Sequence, residues 1–180
     1  HFTHAKREAL IQLLTESYAH RKVVVWARFT YEIQMLCNML SDMGIYHARY
    51  DGTIKSQRQR DRIKDIWNQD PNCRAFVGQL QMGIGITLHA AESPLPCCDT
   101  TYLGLDFSYI NWKQTQDRIH RIGQKWPCSY NYLLTRNGID HRMYQALLSK
   151  EETAEAVHKQ GKDFYLSLLQ DDTPNLAAID

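Results

Sequence analysis

Two arginines, Arg118 and Arg121, lie three residues apart in a segment whose pattern predicts a helix over residues 111–122. Gln114 would lie on the same face of that helix. Two guanidinium groups one turn apart repel each other, so we expect an anion to compensate them. A triphosphate suits this role because Arg keeps its charge and its planar fork matches phosphate oxygens. The alternative is a solvated helix face with an Asp117–Arg121 ion pair.

A glycine-rich segment with Gly78, Gly83 and Gly85 follows a predicted strand. Glycines let the backbone approach a ligand closely, and N–H groups at the start of a helix can bind phosphate. The spacing is not GxGxxG, and Ile84 stands where a P-loop has Lys. A buried tight turn explains these glycines equally well, so the segment alone does not identify a nucleotide site.

The elements that must position these residues alternate between strands and helices. The β-branched run from Val23 to Trp26 fits a strand that is buried on both faces of a parallel sheet. Further strands are predicted at 45–50, 73–77, 101–105 and 129–134. Helices are predicted at 6–18, after a cap at Thr30, and at 56–68, 111–122 (ended by Gly123), 139–149 and 151–170. The predicted fold class is α/β, with a mainly parallel sheet covered on both faces.

The composition is that of an ordinary globular chain of 180 residues. Lys+Arg 21 and Asp+Glu 20 give a net charge of +1, so any nucleic-acid contact must come from a local basic face. The five cysteines include no CxxC pair, so neither a disulfide framework nor a structural zinc site is expected. Cys97 and Cys98 are predicted to be reduced thiols in a cytosolic loop, with a redox-active or metal-sharing pair as the alternative. No apolar run approaches the ~20 residues needed to cross a bilayer, so no membrane partner is expected. The expected location is cytoplasmic.

Residues 114–124 closely resemble the sixth motif of the Swi/Snf-type superfamily 2 helicase-like ATPases, which reads roughly Q-A-x-x-R-x-H-R-I-G-Q. Both arginines and the H-R-I-G-Q ending match, while Thr115 replaces the usual Ala. In that family both arginines reach the ATP phosphates across a cleft between two lobes. The resemblance implies that Arg118 and Arg121 are the catalytic arginines and that Gln114 binds nucleotide.

The glycine-rich segment resembles the fifth motif of the same family, usually A-G-G-x-G-(L/I)-x-L. The family uses this loop to touch the nucleic-acid backbone and to sense nucleotide. The resemblance therefore implies that Gly83 and Gly85 bind nucleotide. Gln79 and Gln81 are predicted to hydrogen-bond phosphate or sugar, with plain solvent exposure as the alternative.

Two further stretches resemble parts of this family. Residues 23–29 are similar to the fourth motif, a buried strand that opens into a DNA-facing loop. By this resemblance Arg28 and Thr30 are the candidates for phosphate contact.

Residues 50–53 are similar to the family's L-D-G-S segment, which is followed by an Arg. Arg58 or Arg60 takes that place, and both are predicted to contact nucleic acid. With Lys55 and Arg62 they form a basic patch suited to a phosphate backbone. The alternative is an exposed helix face.

The resemblance covers about residues 23–150 and implies a three-layer α/β/α RecA-like lobe. The expected organisation is an N-terminal helix over 1–20, a helicase C-terminal domain over 21–150, and a helical extension with a tail over 151–180. The sequence contains no P-loop and no acidic magnesium box, which belong to the family's first lobe. We therefore expect the chain, which begins with His, to be part of a longer protein. ATP and Mg²⁺ would bind only there, with the N-terminal lobe and double-stranded DNA as partners, and this chain alone would show little hydrolysis.

A Trp-Asn-Pro stretch that chromatin-remodelling members carry before the arginine motif is missing. Its absence indicates the compact bacterial or phage branch of the family.

Two other functions stay open from the sequence. The first is a non-catalytic nucleic-acid-binding or docking module, in which Arg118 and Arg121 would be dispensable. The second is a nucleotide-binding enzyme of Rossmann type, against which the missing GxGxxG after the first strand counts.

Overall fold

The computed structural model describes residues 3–83, 85–90 and 93–171, in which strands and helices alternate. The predicted C-terminal tail from residue 172 onward lies outside this range. The helices are α1 (His4–Gln12), continued by a π-helical turn (Leu13–Ser17), α2 (Thr30–Asp42), α3 (Gln57–Gln69), α4 (Tyr109–Gln116) and α5 (Ile139–Asp171). The strands are β1 (Lys22–Ala27), β2 (His47–Tyr50), β3 (Ala75–Gln79), β4 (Cys97–Tyr102) and β5 (Ser129–Tyr132), and a 3₁₀ turn (Leu80–Met82) follows β3.

The five strands form one parallel sheet in the order β2-β3-β1-β4-β5. Helices α1 and α2 cover one face, and helices α3, α4 and α5 cover the other. Parallel strands need crossover connections, and α2, α3 and α4 lie in those from β1 to β2, from β2 to β3 and from β4 to β5, where they also cover the apolar faces. This arrangement confirms the predicted α/β class and the three-layer RecA-like architecture.

β1 lies at the centre of the sheet, and all six of its residues are buried. Because successive side chains point to opposite faces of a strand, Val23 and Val25 pack with α1 and α2. Val24 and Trp26 pack with the opposite layer. The continuous apolar run in the sequence is thus explained by two covered faces.

A buried lysine at the start of β1 closes the end of α3. Lys22 Nζ donates to the backbone carbonyls of Trp67, at 2.5 Å, and Asp70, at 2.8 Å, and lies 4.7 Å from the centre of the Trp67 ring. Carbonyls at the end of a helix lack intrahelical donors, so a cation is favourable there. Burial lowers the pKa of Lys22.

A buried ion pair joins the first helix to the last. Lys6 Nζ lies 2.6 Å from Asp140 Oδ2 and donates to the carbonyl of Leu103 at 2.6 Å. Burial raises the pKa of Asp140, but hydrogen bonding and the charge of Lys6 outweigh burial, so the pKa lies below its ordinary value. The helix predicted over residues 1–20 is therefore attached to the lobe by a specific polar contact.

β4 begins earlier than the predicted strand at 101–105. Cys97 and Cys98 are its first two residues, and both are buried. The prediction that they lie in a loop is wrong, because both residues belong to strand β4.

Two helix predictions also need correction. The helices predicted at 139–149 and 151–170 form one continuous helix, α5. Thr30 is the first residue of α2 rather than its cap. The buried carboxylate of Glu32 instead accepts a hydrogen bond from the Phe29 N–H at 3.2 Å, which satisfies a donor at the helix start.

Candidate functional site

The helix that carries the arginine motif is shorter than predicted. α4 ends at Gln116, and the chain then turns through residues 117–120. Two successive amides beyond the helix bond the carbonyls three residues before them, at 3.3 Å each, as in a tightened helix end. Gln114, Arg118 and Arg121 therefore do not share a face of one continuous helix, and that prediction is wrong.

Arg118 is held by two backbone carbonyls. Its Nε donates to the carbonyl of Gln114 at 2.8 Å, and its Nη1 donates to the carbonyl of Ile86 at 3.1 Å. Its own carbonyl accepts the Leu88 N–H at 2.9 Å. The arginine is thus anchored both to α4 and to the segment that follows the glycine-rich loop.

Arg121 reaches the same segment through a side chain. Its Nη1 donates to Thr87 Oγ1 at 2.7 Å, and the residue is otherwise exposed. The two predicted catalytic arginines therefore both hydrogen-bond to the same three-residue segment, Ile86, Thr87 and Leu88. The structure brings them together by a tertiary contact instead of by a common helix face.

The two arginines repel each other, and the carboxylate of Asp117 partly offsets this repulsion. Burial lowers the pKa of Arg118, and the nearby charge of Arg121 lowers it further. Within the described part of the chain neither guanidinium forms an ion pair with a carboxylate, so the Asp117–Arg121 pair is not observed. An anionic ligand would relieve this repulsion.

Gln114 lies on α4, four residues before Arg118. Its carbonyl accepts the Arg118 hydrogen bond. Its side-chain Oε1 is buried without a hydrogen-bond partner among the described residues. A buried polar atom of this kind is costly unless a ligand or water satisfies it. Nucleotide binding by Gln114 stays a prediction.

Glycine is needed at positions 83 and 85 for different reasons, which are close packing at Gly83 and backbone conformation at Gly85. A β-carbon on Gly83 would lie 2.9 Å from Thr115 Cγ2 and 3.2 Å from Trp26 Cη2, so close packing against α4 excludes a side chain. Gly85 has open space around it but takes φ +75°, which favours glycine. Gly123 also has positive φ, at +97°, but in a turn well beyond the end of α4. Nucleotide contact by Gly83 and Gly85 stays a prediction.

Thr115, where the family usually has Ala, makes a specific buried contact. Its Oγ1 lies 3.0 Å from the hydroxyl of Tyr102 on β4, and it donates to the Trp112 carbonyl at 2.7 Å. Tyr102 stacks on Tyr132, with the ring centres 4.8 Å apart. The departure from the family pattern thus fastens α4 to the sheet.

At the carboxyl edge of the sheet, the side chain of Gln79 links the end of β3 to the loops that follow β1 and β2. Its Oε1 accepts the Gly52 N–H at 3.1 Å, and its Nε2 donates to the Arg28 carbonyl at 3.4 Å. Both polar atoms of this predicted nucleic-acid contact are therefore bonded within the lobe. The direct contact of Gln79 with DNA stays a prediction, and its internal role is the finding.

Arg28 and Thr30 lie at the same edge, directly after β1. The Arg28 guanidinium is 4.9 Å from the centre of the Phe29 ring, and both Arg28 and Thr30 are half-buried. Gln81 is exposed and its Nε2 lies 3.5 Å from Asp106 Oδ2. These three predicted contacts and Gln79 surround the ends of β1 and β3.

The two arginines of the basic patch have different surroundings. Arg60 Nε donates to the carbonyl of Ile54 at 2.9 Å, and its guanidinium lies 6.0 Å from the centre of the Tyr50 ring. Arg58 is exposed. Arg60 therefore holds the turn between β2 and α3, whereas Arg58 is available to a partner.

The residues that sequence reasoning missed are Thr87 and Tyr102. The only signal for Thr87 was a polar residue between the apolar Ile86 and Leu88, which the family pattern leaves unspecified. Tyr102 gave no signal beyond its place in a strand. Both matter through contacts that connect separate parts of the chain.

The described residues contain no group of three or more His, Cys, Asp or Glu side chains arranged to hold a metal ion. Likewise, none of the helices in the described ranges is both long and apolar enough to cross a bilayer.

Comparison with known proteins points to one family. The profile of the helicase conserved C-terminal domain matches residues 5–123. The chain is 28% identical over 171 residues to "ATP-dependent DNA helicase DDM1" of Arabidopsis thaliana, covering 94% of this chain and 22% of that protein. It is 30% identical over 135 residues to "DNA repair and recombination protein RDH54" of Saccharomyces cerevisiae, covering 74% of this chain and 14% of that protein.

A third relative is an "uncharacterized ATP-dependent helicase" of Mycoplasma pneumoniae, 26% identical over 170 residues, with 93% of this chain and 16% of that protein covered. The chain thus spans less than a quarter of these relatives' lengths. Because they come from a plant, a yeast and a mycoplasma, they do not support the predicted restriction to a bacterial or phage branch. The cytoplasmic location stays a prediction.

Among solved structures, the C-terminal part of the Fun30 ATPase domain matches with a TM-score of 0.67 and 22% identity, covering 79% of this chain and 43% of that chain. This likeness shows a shared fold. The match to a helicase domain also argues against a Rossmann-type enzyme. The parallel sheet and the arginine motif agree with a family profile that matches from residue 5 to residue 123, and two of the relatives above are named ATP-dependent helicases. The chain therefore belongs to the helicase conserved C-terminal domain family.

Proposed function

We propose that this chain is the second motor lobe of an ATP-dependent DNA translocase or helicase. In that role Arg118 and Arg121 act as arginine fingers on an ATP–Mg²⁺ complex held by a separate P-loop lobe. The observation that carries the proposal is the paired anchoring of both arginines on residues 86–88 without a carboxylate partner among the described residues.

The anchoring suits catalysis because it orients the guanidinium groups before nucleotide arrives. Arg118 uses Nε and Nη1 for the lobe's own carbonyls, which fixes the plane of the group. Charge that develops on a transferring phosphoryl group would be stabilised by both arginines. For arginine fingers in general this effect is worth about 10³–10⁵ in rate.

The DNA track in this proposal is the carboxyl edge of the sheet together with the basic patch. Arg28, Thr30 and Gln81 surround the ends of β1 and β3, and Arg58 is exposed on α3. Double-stranded DNA is the proposed substrate, because a phosphate backbone can be gripped without reading bases. Lobe closure on ATP and reopening after hydrolysis would shift this grip along the DNA.

The test uses a protein in which the P-loop lobe is joined to this chain. Arg118→Ala and Arg121→Ala are each expected to reduce DNA-stimulated ATP hydrolysis by about 10³-fold or more, with DNA binding largely kept. Arg142→Ala, which removes an exposed arginine on α5, serves as the matched control and should keep full turnover. Unchanged turnover in both finger variants would favour the docking-module alternative.

The DNA track is tested separately. Arg58→Ala and Arg28→Ala should weaken DNA binding and reduce its salt dependence, since each removes one phosphate contact. Hydrolysis measured at saturating DNA should recover. If DNA affinity and its salt dependence stay the same, the DNA lies elsewhere on the lobe.

A further inference from the structure

Among the described hydrogen bonds of residues 86–88, the one between Thr87 and Arg121 is the only one that joins two side chains, one from the glycine-rich segment and one from the arginine motif. Thr87 Oγ1 accepts a hydrogen bond from Arg121 Nη1 at 2.7 Å. The two contacts of Arg118 with this segment use the Ile86 carbonyl and the Leu88 N–H, which are backbone atoms that a side-chain substitution at residue 86 or 88 does not remove. Thr87 is therefore the position at which this contact can be tested cleanly.

The backbone that carries Thr87 is firmly held. The side chains of Ile86 and Leu88 on either side are buried, with exposed fractions of 2% and 0%. The Leu88 carbonyl accepts the Trp67 indole N–H at 3.0 Å, which ties the segment to α3. Because Thr is also β-branched and restricted at χ1, its hydroxyl is presented in a fixed direction.

We propose that Thr87 is a positioning residue for Arg121 in ATP hydrolysis, an inference that rests on the proposed function. Arg121 is exposed, and an exposed arginine samples many rotamers, so immobilising it for catalysis costs conformational entropy. The hydrogen bond to Thr87 restricts the guanidinium before nucleotide binds. It uses one N–H and leaves the remaining N–H donors for phosphate oxygens.

Thr87→Val is nearly isosteric and removes only the acceptor. In the two-lobe protein we expect the kcat of DNA-stimulated ATP hydrolysis to fall by about tenfold, the change that loss of one hydrogen bond to a charged group produces. The KM for ATP should change little, because the contact orients a finger that acts on the transition state. Thr87→Ser keeps the hydroxyl and should restore most of the turnover.

Thr153→Val is the matched control. Thr153 is exposed on α5, and its hydroxyl donates to the Ser149 carbonyl at 2.9 Å. The same Thr to Val change at this position should leave kcat and KM unchanged.

The decisive measurement combines Thr87→Val with Arg121→Ala. If Thr87 acts through Arg121, the double variant should turn over no more slowly than Arg121→Ala alone. A normal or increased kcat in Thr87→Val, no rescue by Ser, or a further tenfold loss in the Arg121→Ala background would each overturn the positioning role. Full activity of Arg121→Ala would instead overturn the proposed function itself, so the two failures are distinguishable.

Discussion

Trp26 and Gly78 lie directly opposite each other on β1 and β3, and the indole occupies the space where a side chain of residue 78 would lie. A β-carbon on Gly78 would be 2.4 Å from Trp26 Cζ3 and 3.1 Å from Phe76 Cε1. The glycine is therefore required by the size of its cross-strand neighbour in the centre of the sheet.

Gly78→Ala should destabilise the protein by about 1–3 kcal/mol, the usual cost of overpacking a core. Equilibrium unfolding in urea measures the change. Gly161→Ala on the exposed part of α5 is the control, because a β-carbon there meets nothing within 4 Å. That variant should gain about 0.5–1 kcal/mol from helix propensity. Equal stability of Gly78→Ala and the parent protein would contradict the packing explanation.

Thr115→Ala restores the residue that the family usually has, yet we expect it to destabilise this protein. The change leaves the buried Tyr102 hydroxyl without its 3.0 Å partner, which costs about 1–3 kcal/mol. Tyr102→Phe combined with Thr115→Ala should recover most of this loss, since both polar groups are then removed. A double-mutant cycle by chemical denaturation measures the coupling, and strictly additive losses would disprove it.

Lys6→Met should be strongly destabilising because it leaves the Asp140 carboxylate buried and unpaired. Breaking a buried ion pair on one side costs about 3–5 kcal/mol. Lys6→Met combined with Asp140→Leu should recover much of the loss. Lys64→Met, which removes the half-buried partner of the exposed Asp61, is the control and should have little effect. Urea unfolding compares the four proteins, and a small effect of Lys6→Met would contradict the role of the pair.

The same ion pair predicts a pH dependence of stability. The pKa of Asp140 is lower in the folded protein than its unfolded value of about 3.9. Its contribution to stability is therefore present above the unfolded pKa and is lost as the pH falls through the folded pKa. Unfolding free energies measured from pH 7 down to acid should fall less steeply in the Lys6→Met, Asp140→Leu double variant than in the parent. Identical slopes would show that the pair is not the source.

The cysteines should react slowly in the folded protein. Burial raises the pKa of Cys37, Cys73 and Cys98 to about 11 each and raises that of Cys97 further. Burial also raises the pKa of Cys128, but its side chain is only half-buried, so its thiol should react first with an aromatic disulfide at pH 8. Denaturant should expose all five thiols. Cys128→Ser should abolish the first phase, and rapid labelling of that variant would contradict the burial of the other four thiols.

The sheet could be predicted from the sequence where apolar runs are continuous, as in β1. The start of β4 could not, because Asp99 and Thr100 look like loop residues. In the structure Asp99 lies 3.4 Å from Arg21, and Thr100 Oγ1 donates to the Val24 carbonyl at 3.1 Å. These partners are distant in sequence, so local pattern could not reveal that the polar groups are satisfied.

The arginine site was identified from its motif, but its geometry was not. The helix period predicted a common face for Arg118 and Arg121, whereas α4 ends before either arginine. The Leu88 N–H bonds the Arg118 carbonyl at 2.9 Å, which replaces the bonding that a longer helix would have provided. Whether the helix continues or its residues bond a distant segment depends on which parts of the chain lie next to it. The whole fold determines these neighbours, so the local sequence pattern does not reveal them.

The amide of Gln79 braces the corner where the loops after β1 and β2 meet the end of β3. Because these hydrogen bonds join the two loops to the end of β3, we expect the loops and the strand end to move together as one rigid unit. A nucleic acid resting on it would be carried by movement of the entire lobe, with little of the stroke lost to bending of separate loops. The rigidity of the carboxyl edge of the sheet would then depend on one uncharged side chain, that of Gln79.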